Sequence, residues 1–253
     1  MTKLNKAFEQ HGIQNIIIKE NQAIGDCIFC GSERHFYINI ENNRWDCKKC
    51  SLNGGFYSFL EKIIEYSKCG LIKLSENRDI SIDTLQSFNC KKNDKGEFLI
   101  PIYSLDKRIT NIKIFNIKAK TFLNTSSCKV ELFNLQNYNE SIKNIFICEG
   151  EWDTIVMQEI LNSLKLNSNY LALGIQGANT FKSEWVTLFK DKNVYLLLDN
   201  DNAGRQGTIK ITNLLFPIVN QIKSIVWPNK SEGFDIRDLY KQYDLNAKKH
   251  IYK

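Results

Sequence analysis

The sequence predicts an α/β multidomain protein: a small β-rich, cysteine-stapled head, an α+β middle segment, and an α/β domain with a largely parallel sheet. Three observations carry this. Two closely spaced cysteine pairs lie before residue 51, two short β-type runs lie near residues 98–115, and from residue 143 apolar strands alternate with helical stretches. A chain of 253 residues with 43% hydrophobic residues can give each of two or three such domains a core.

The head comes first. Cys27-Ile28-Phe29-Cys30 and Cys47-Lys48-Lys49-Cys50 are two CxxC pairs separated by sixteen residues. That spacing lets two turns converge on one tetrahedral Zn²⁺, and four thiolates leave no open position for catalysis. The intervening segment is too small to bury a core, so a structural zinc would supply much of its folding free energy. Cys69, Cys90, Cys128 and Cys148 stand apart and read as buried or free thiols. Around the pairs lie Arg34, His35, Arg44, Trp45, Lys48 and Lys49. Cations and a stacking aromatic beside a ribbon suit single-stranded nucleic acid, although Trp45 equally suits the ribbon's small core. Short strand-like pieces such as His35 to Ile38 fill the head. Phe56, Phe59, Leu60, Ile63 and Ile64 then follow with helical spacing after Gly54-Gly55. Residues 1-70 form this zinc-binding domain, and the stretch from Ser67 to Ser81 is the expected mobile connection.

In the middle segment, 75-142, Phe98 to Tyr103 and Ile109 to Phe115 read as strands joined by the turn-like Ser104 to Arg108, with a lysine-bearing stretch after them. From 143-253 the expected strands are Ile145 to Cys148, Tyr170 to Leu173, Val194 to Leu198 and Ser224 to Trp227. Helices are expected around Trp152 to Ile160, Phe181 to Phe189 and Ile209 to Phe216. Such alternation builds a parallel sheet with helices on its faces.

Acidic residues recur just beyond these strands: Glu149 after the first, Asp199 and Asp201 after the third, Asp235 and Asp238 after the fourth. Ligand sites of an open parallel sheet lie at the carboxyl ends of its strands, so these carboxylates can converge on Mg²⁺ or Mn²⁺, hard cations that take oxygen ligands. Asp199-Asn200-Asp201 ahead of Ala203-Gly204 also fits a simple helix cap. The formal charge of +6 suits an anionic partner. No apolar run reaches the roughly 18 residues of a membrane span, and Met1 to Gln10 lacks a signal-peptide core, so no membrane association and a cytoplasmic address, or the host cytoplasm for a phage protein, are expected.

Glu149-Gly150-Glu151-Trp152-Asp153, Leu173-Gly174-Ile175-Gln176-Gly177, Asp199 to Gly204 and Gly233 to Asp238 resemble the successive motifs of a Toprim domain. Upstream, Leu99 to Tyr103, Ile112-Lys113 and Lys129 to Asn134 are similar to the N-terminal half of the RNA polymerase domain of DnaG-type and phage-type primases. The four-cysteine ribbon is similar to the zinc domain of the phage type.

The resemblance implies a DNA primase that synthesises short RNA primers on a single-stranded DNA template from ribonucleoside triphosphates. Glu149 would be the general acid/base or assist the metal, Asp199 and Asp201 would ligate Mg²⁺ or Mn²⁺, and Asp235 would support it. Lys113, Lys118, Lys120 and Lys129 would face nucleotide phosphates, while Arg34, His35, Arg44, Trp45 and Lys48 would contact DNA. With no GxxxxGK[ST] loop after Asp238, helicase activity is not expected and a replicative helicase would be a separate partner. Two rivals share these features: a RecR-like recombination mediator, non-catalytic and DNA-binding, and a Toprim nuclease.

Overall fold

The computed structural model describes residues 3–229 and 231–242. The chain divides into two compact units. One gathers Met1–Leu71, Asn89–Ile102 and Arg108–Lys129; the other gathers Ile72–Phe88, Tyr103–Lys107 and Val130–Lys253.

In the first unit, α1 (Lys3–Gln10) precedes five strands: β1 (Ile17–Lys19), β2 (Gln22–Gly25), β3 (Phe36–Asn39), β4 (Trp45–Cys47) and β5 (Asn53–Gly54). They pair antiparallel in chain order. Their two-residue period sends Ala23, Phe36, Ile38, Trp45 and Cys47 inward and leaves Gln22, Tyr37, Asn39 and Asp46 outward. The inward face meets α2 (Phe56–Tyr66), which buries Phe59, Leu60, Ile63 and Ile64 as their spacing predicts. Phe8 of α1 closes the cluster, its ring 4.5 Å from Phe59.

A second antiparallel sheet runs β6 (Lys91–Lys92), β7 (Phe98–Tyr103), β8 (Ile109–Asn116) and β9 (Thr121–Asn124). The end of α1 is tied to it. Gln10 donates to the Asn124 carbonyl at 3.2 Å and accepts from the Ser126 N–H at 2.8 Å, while the half-buried His11 ring lies 2.8 Å from the Thr125 hydroxyl. Burial, with Lys95 nearby, lowers His11 to about 4, so it is a neutral bonding partner.

The second unit begins with α3 (Ile72–Arg78) and α4 (Ile82–Ser87), the latter capped by Ser81, whose hydroxyl accepts from the Thr84 N–H at 3.1 Å. The stretch expected to be a mobile connection therefore carries a helix with Leu74 fully buried, and the border between the units falls inside it.

A parallel sheet follows, built from β10 (Asn144–Cys148), β11 (Tyr170–Gly174), β12 (Asn193–Leu197) and β13 (Gln221–Ser224) in the order β11-β10-β12-β13. Helices α5 (Glu151–Ser163), α6 (Asn202–Leu215) and α7 (Ile236–Gln242) accompany it. Ile145, Ile147, Leu171, Leu173, Val194 and Leu196 form its core with Phe189, Ile211 and Leu215.

Three expected elements differ. The strand expected at Ser224 to Trp227 lies earlier, at Gln221–Ser224, because it pairs with β12 from Asn193↔Gln221 onward; as a half-exposed edge strand it shows little apolar signal. Ser183–Phe189 winds as a 3-10 helix, a form used in short pieces. α6 starts seven residues before the expected Ile209, at Asn202, since Asp201 caps it. Among the described residues no helix is long and apolar enough to cross a membrane.

Candidate functional site

The zinc site is the first of two centres. Cys27 and Cys30 lie in the loop after β2, and Cys47 and Cys50 in the turn at the end of β4. Each CxxC turn closes with a left-handed residue, Gly31 (φ 71°) or Ser51 (φ 62°), whose N–H bonds the carbonyl of Cys27 or Cys47 at 2.8 and 2.9 Å. The four Sγ atoms lie within 4.8 Å of one another, with Cys27 to Cys50 at 4.0 Å and Cys30 to Cys47 at 3.8 Å. A tetrahedron with Zn–S bonds of about 2.3 Å has edges of about 3.8 Å, so the donors fit that ion.

Of the ribbon residues expected at DNA, Arg34, His35, Arg44 and Lys48 are exposed. Trp45 is a correction: it is 2% exposed, stacks on Phe36 at 5.2 Å and donates its indole N–H to the Gly55 carbonyl at 2.9 Å. With its faces covered it has none for a base; it is the ribbon's core. The aromatic on the outer face is instead Tyr37, with the Lys48 ammonium 5.7 Å from its ring centre and Asp46 paired to Lys48 at 2.6 Å. Tyr37, Arg44, Lys48 and Asn53 line an open groove of about 570 Å³. Alternation along β3 and β4 is the signal that separates Tyr37 from Trp45.

The acidic centre is set by sheet topology. The chain goes from β10 to β11 on one side, then returns to β12 on the other, so the crevice beyond the carboxyl ends of β10 and β12 is the switch point where open α/β sheets bind ligands. Glu149 leaves β10 there and Asp199 follows β12, and the Asp199 N–H donates to Glu149 Oε2 at 3.2 Å. Asp199 Oδ1 is buried with no hydrogen-bond partner among the described residues. Burial and the charges of Asp153, Glu149 and Asp235 push the Asp199 carboxyl up to about 8. Glu149 is also raised, by burial first, against backbone N–H groups of Asp199 and Ala178 that favour its charge.

Asp201 plays the helix-cap part the sequence allowed, accepting the Gly204 N–H through Oδ1 at 2.6 Å. Gly204 is required by a close approach: a Cβ there would lie 2.1 Å from the Asp199 carbonyl oxygen.

Asp235 is buried beside this group but occupied. Its Oδ1 accepts the N–H groups of Arg237 and Asp238 at 2.8 and 3.0 Å, and its Oδ2 takes the Arg237 guanidinium through Nε at 3.0 Å and through Nη2. Asp238 is exposed at the first turn of α7.

The roles of Asp153 and Arg237 were not read from the sequence, although both lie inside motifs that were. Arg237 Nε is 2.8 Å from Asp153 Oδ1, so the guanidinium is ion-paired with two buried carboxylates, although Asp153 Oδ1 has no hydrogen-bond partner among the described residues. Burial nevertheless raises Asp153 to about 6. Arg78 stacks on Trp152 with its guanidinium carbon 4.6 Å from the ring centre; burial, then repulsion from Arg237, lowers it to about 10. The signal for Asp153 is its position four residues after Glu149, in the first turn of α5.

Among the described residues only the four cysteines bring three or more ligand atoms together within bonding reach of one ion. The acids form an open set instead, which suits Mg²⁺, an ion that keeps several waters and binds through one or two carboxylates plus substrate phosphates. The unpartnered Asp199 oxygen and the mutual repulsion of the carboxylates are the features a cation would relieve.

Of the four candidate lysines, Lys113 is buried (5% exposed) with its ammonium 5.5 Å from the Phe122 ring centre, whereas Lys118, Lys120 and Lys129 are exposed. All four belong to the first unit and the acids to the second.

Residues 146–239 match the Toprim-like family. No curated protein matches the chain by sequence. Among solved structures, the chain is similar to the zinc-binding and RNA polymerase domains of Aquifex aeolicus primase, with a TM-score of 0.58 at 14% identity over 99% of this chain and 82% of that one. It is similar to the primase fragment of the bacteriophage T7 primase-helicase protein, with a TM-score of 0.56 at 20% identity over 86% and 93%. A DnaG primase catalytic domain bound to single-stranded DNA gives a TM-score of 0.61 at 15% identity over 78% and 76%. The chain thus carries a Toprim-like domain, and its fold is that of primase zinc-binding and RNA polymerase domains.

Proposed function

We propose that this protein, a Toprim-like domain joined to a four-cysteine ribbon on the fold of primases, is a DNA primase that makes short RNA primers by metal-dependent nucleotidyl transfer. The observation that carries this reading is the pair Glu149 and Asp199 at the switch point of the sheet, with Asp199 Oδ1 buried and unpartnered. Glu149, Asp199 and Asp201 would hold Mg²⁺ or Mn²⁺. When bound there, the ion neutralises phosphate charge and stabilises the attacking and leaving oxygens of an in-line displacement.

The reaction joins a ribonucleotide 3′-oxygen to the α-phosphorus of the next triphosphate, and pyrophosphate leaves. Glu149, raised by burial, would take the 3′-hydroxyl proton where it does not itself hold the ion. Asp201 caps α6 through one oxygen, which fixes the loop that carries Asp199. Lys118, Lys120 and Lys129 offer exposed cations for template or triphosphate, and the ribbon groove with Tyr37, Arg44 and Lys48 suits the single strand. A replicative helicase would be a partner, and the site of action the cytoplasm or host cytoplasm.

The test is synthesis of labelled RNA on varied single-stranded DNA with all four ribonucleoside triphosphates and Mg²⁺ or Mn²⁺. Glu149→Gln and Asp199→Asn/Asp201→Asn should each lower it at least about 100-fold, roughly 2.7 kcal/mol of transition-state stabilisation. Metal-dependent cutting of the strand without RNA synthesis would favour a nuclease. Strand binding that needs neither metal nor triphosphate would favour a recombination mediator.

A further inference from the structure

The acidic centre is divided into an open half and a closed half. In the open half, Asp199 Oδ1 has no hydrogen-bond partner among the described residues, and Glu149 is met only by the backbone N–H groups of Asp199 and Ala178. In the closed half, both oxygens of Asp235 are taken, by two backbone N–H groups and by two nitrogens of Arg237, and the same guanidinium is ion-paired with Asp153 Oδ1 at 2.8 Å without a hydrogen bond to it, its Nε–H being given to Asp235. The two carboxylate side chains are only 6% and 8% exposed, and burying two such groups side by side is costly unless a cation lies between them.

We propose that Arg237 stands in for a second divalent ion: the site takes one Mg²⁺ or Mn²⁺, on Glu149, Asp199 and Asp201, and the guanidinium fills the cation position between Asp153 and Asp235. This rests on the reading of the open half as a divalent-metal site.

Two-metal phosphoryl-transfer sites set two ions side by side so that each oxygen of the displacement meets a cation. A planar fork of five donors can hold two carboxylates as such an ion does, with no exchangeable ligands and no dependence on metal supply. Its single positive charge is half that of the ion it replaces. Arg78, stacked on Trp152 and repelled by Arg237, brings a second positive charge to the same buried region, and the two arginines together carry the charge of one divalent ion. Asp235 becomes a positioning residue that holds Arg237 and the start of α7, rather than a metal ligand.

The count of tight Mn²⁺ sites on the whole zinc-loaded protein, from the electron paramagnetic resonance signal of free Mn²⁺, tests this. The wild type should bind one, lost in Asp199→Asn. Arg237→Lys should still bind one, and Arg237→Asn should bind two. Two sites in the wild type overturn the proposal whether or not Arg237→Asn folds. One site in both the wild type and a folded Arg237→Asn also overturns it and makes Arg237 only a brace. No site in the wild type sinks the metal reading of the open half itself, and the proposal with it.

Discussion

Replacing Asp199 by asparagine should stabilise the metal-free protein while abolishing its activity. In the folded chain its carboxyl is lifted from the ordinary 3.8 to about 8, by burial first and by Asp153, Glu149 and Asp235 next. A raised acid keeps its proton in the folded state after the unfolded chain has lost it, so stability falls as pH rises from about 4 to about 8 and is level above. At roughly 1.4 kcal/mol for each pH unit the full shift would amount to roughly 6 kcal/mol. The group is partly exposed and shares its repulsion with neighbours that also titrate, so solvent screening reduces this to about 2 kcal/mol. Asp199→Asn removes the charge, and at pH 8 its Tm should exceed the wild type's by about 4–8 °C for a protein of this size. Calorimetry of the zinc-loaded protein without added magnesium, at pH 5 and pH 8, measures it. The gain should shrink at pH 5, and added Mg²⁺ should raise the wild-type Tm but not the variant's. A variant that melts below the wild type at pH 8, or a difference equal at both pH values, would refute the reasoning.

Four further outcomes follow from the geometry. Cys47→Ser breaks a four-thiolate site that supplies on the order of 10 kcal/mol to a small module, so zinc should be released and the near-ultraviolet dichroism of the Phe8, Phe36, Trp45 and Phe59 cluster lost; a folded, zinc-free ribbon would contradict this. Trp45→Ala should cost about 3–5 kcal/mol in denaturant unfolding. Arg44→Ala or Lys48→Ala should leave stability within about 0.5 kcal/mol and reduce the salt slope of single-strand binding by about one; a stable Trp45→Ala would return that ring to the DNA surface. Gly204→Ala places a Cβ 2.1 Å from the Asp199 carbonyl, so it should cost about 1–3 kcal/mol and weaken Mn²⁺ binding, and unchanged denaturant and metal titrations would show that the loop gives way freely.

What was legible in the sequence is what short-range pattern encodes. CxxC spacing fixes which atoms can share an ion because each pair lies within one turn, and the four cysteines do converge. The apolar runs that became β7, β8, β10, β11 and β12 stand out because strands covered on both faces, the edge strand β11 included, have little polar face to disguise them. The carboxylates that follow β10 and β12 could be placed at one end of a sheet, since a parallel sheet points all its strand ends the same way.

Tertiary structure decided the rest. Sheet order makes β10 and β12 neighbours and brings Glu149 within 3.2 Å of the Asp199 N–H, which local pattern does not specify. Whether Trp45 faces solvent or core depends on which face of β4 the α1 and α2 aromatics cover, and that turned a candidate base-stacking ring into packing. Asp235 looked like Asp199 in sequence, an acid in a loop after a strand, yet the turn into α7 folds Arg237 back onto it and toward Asp153, a partner more than eighty residues earlier. A charge's role depends on what lies within a few ångströms of it, and those neighbours come from the folding of distant segments.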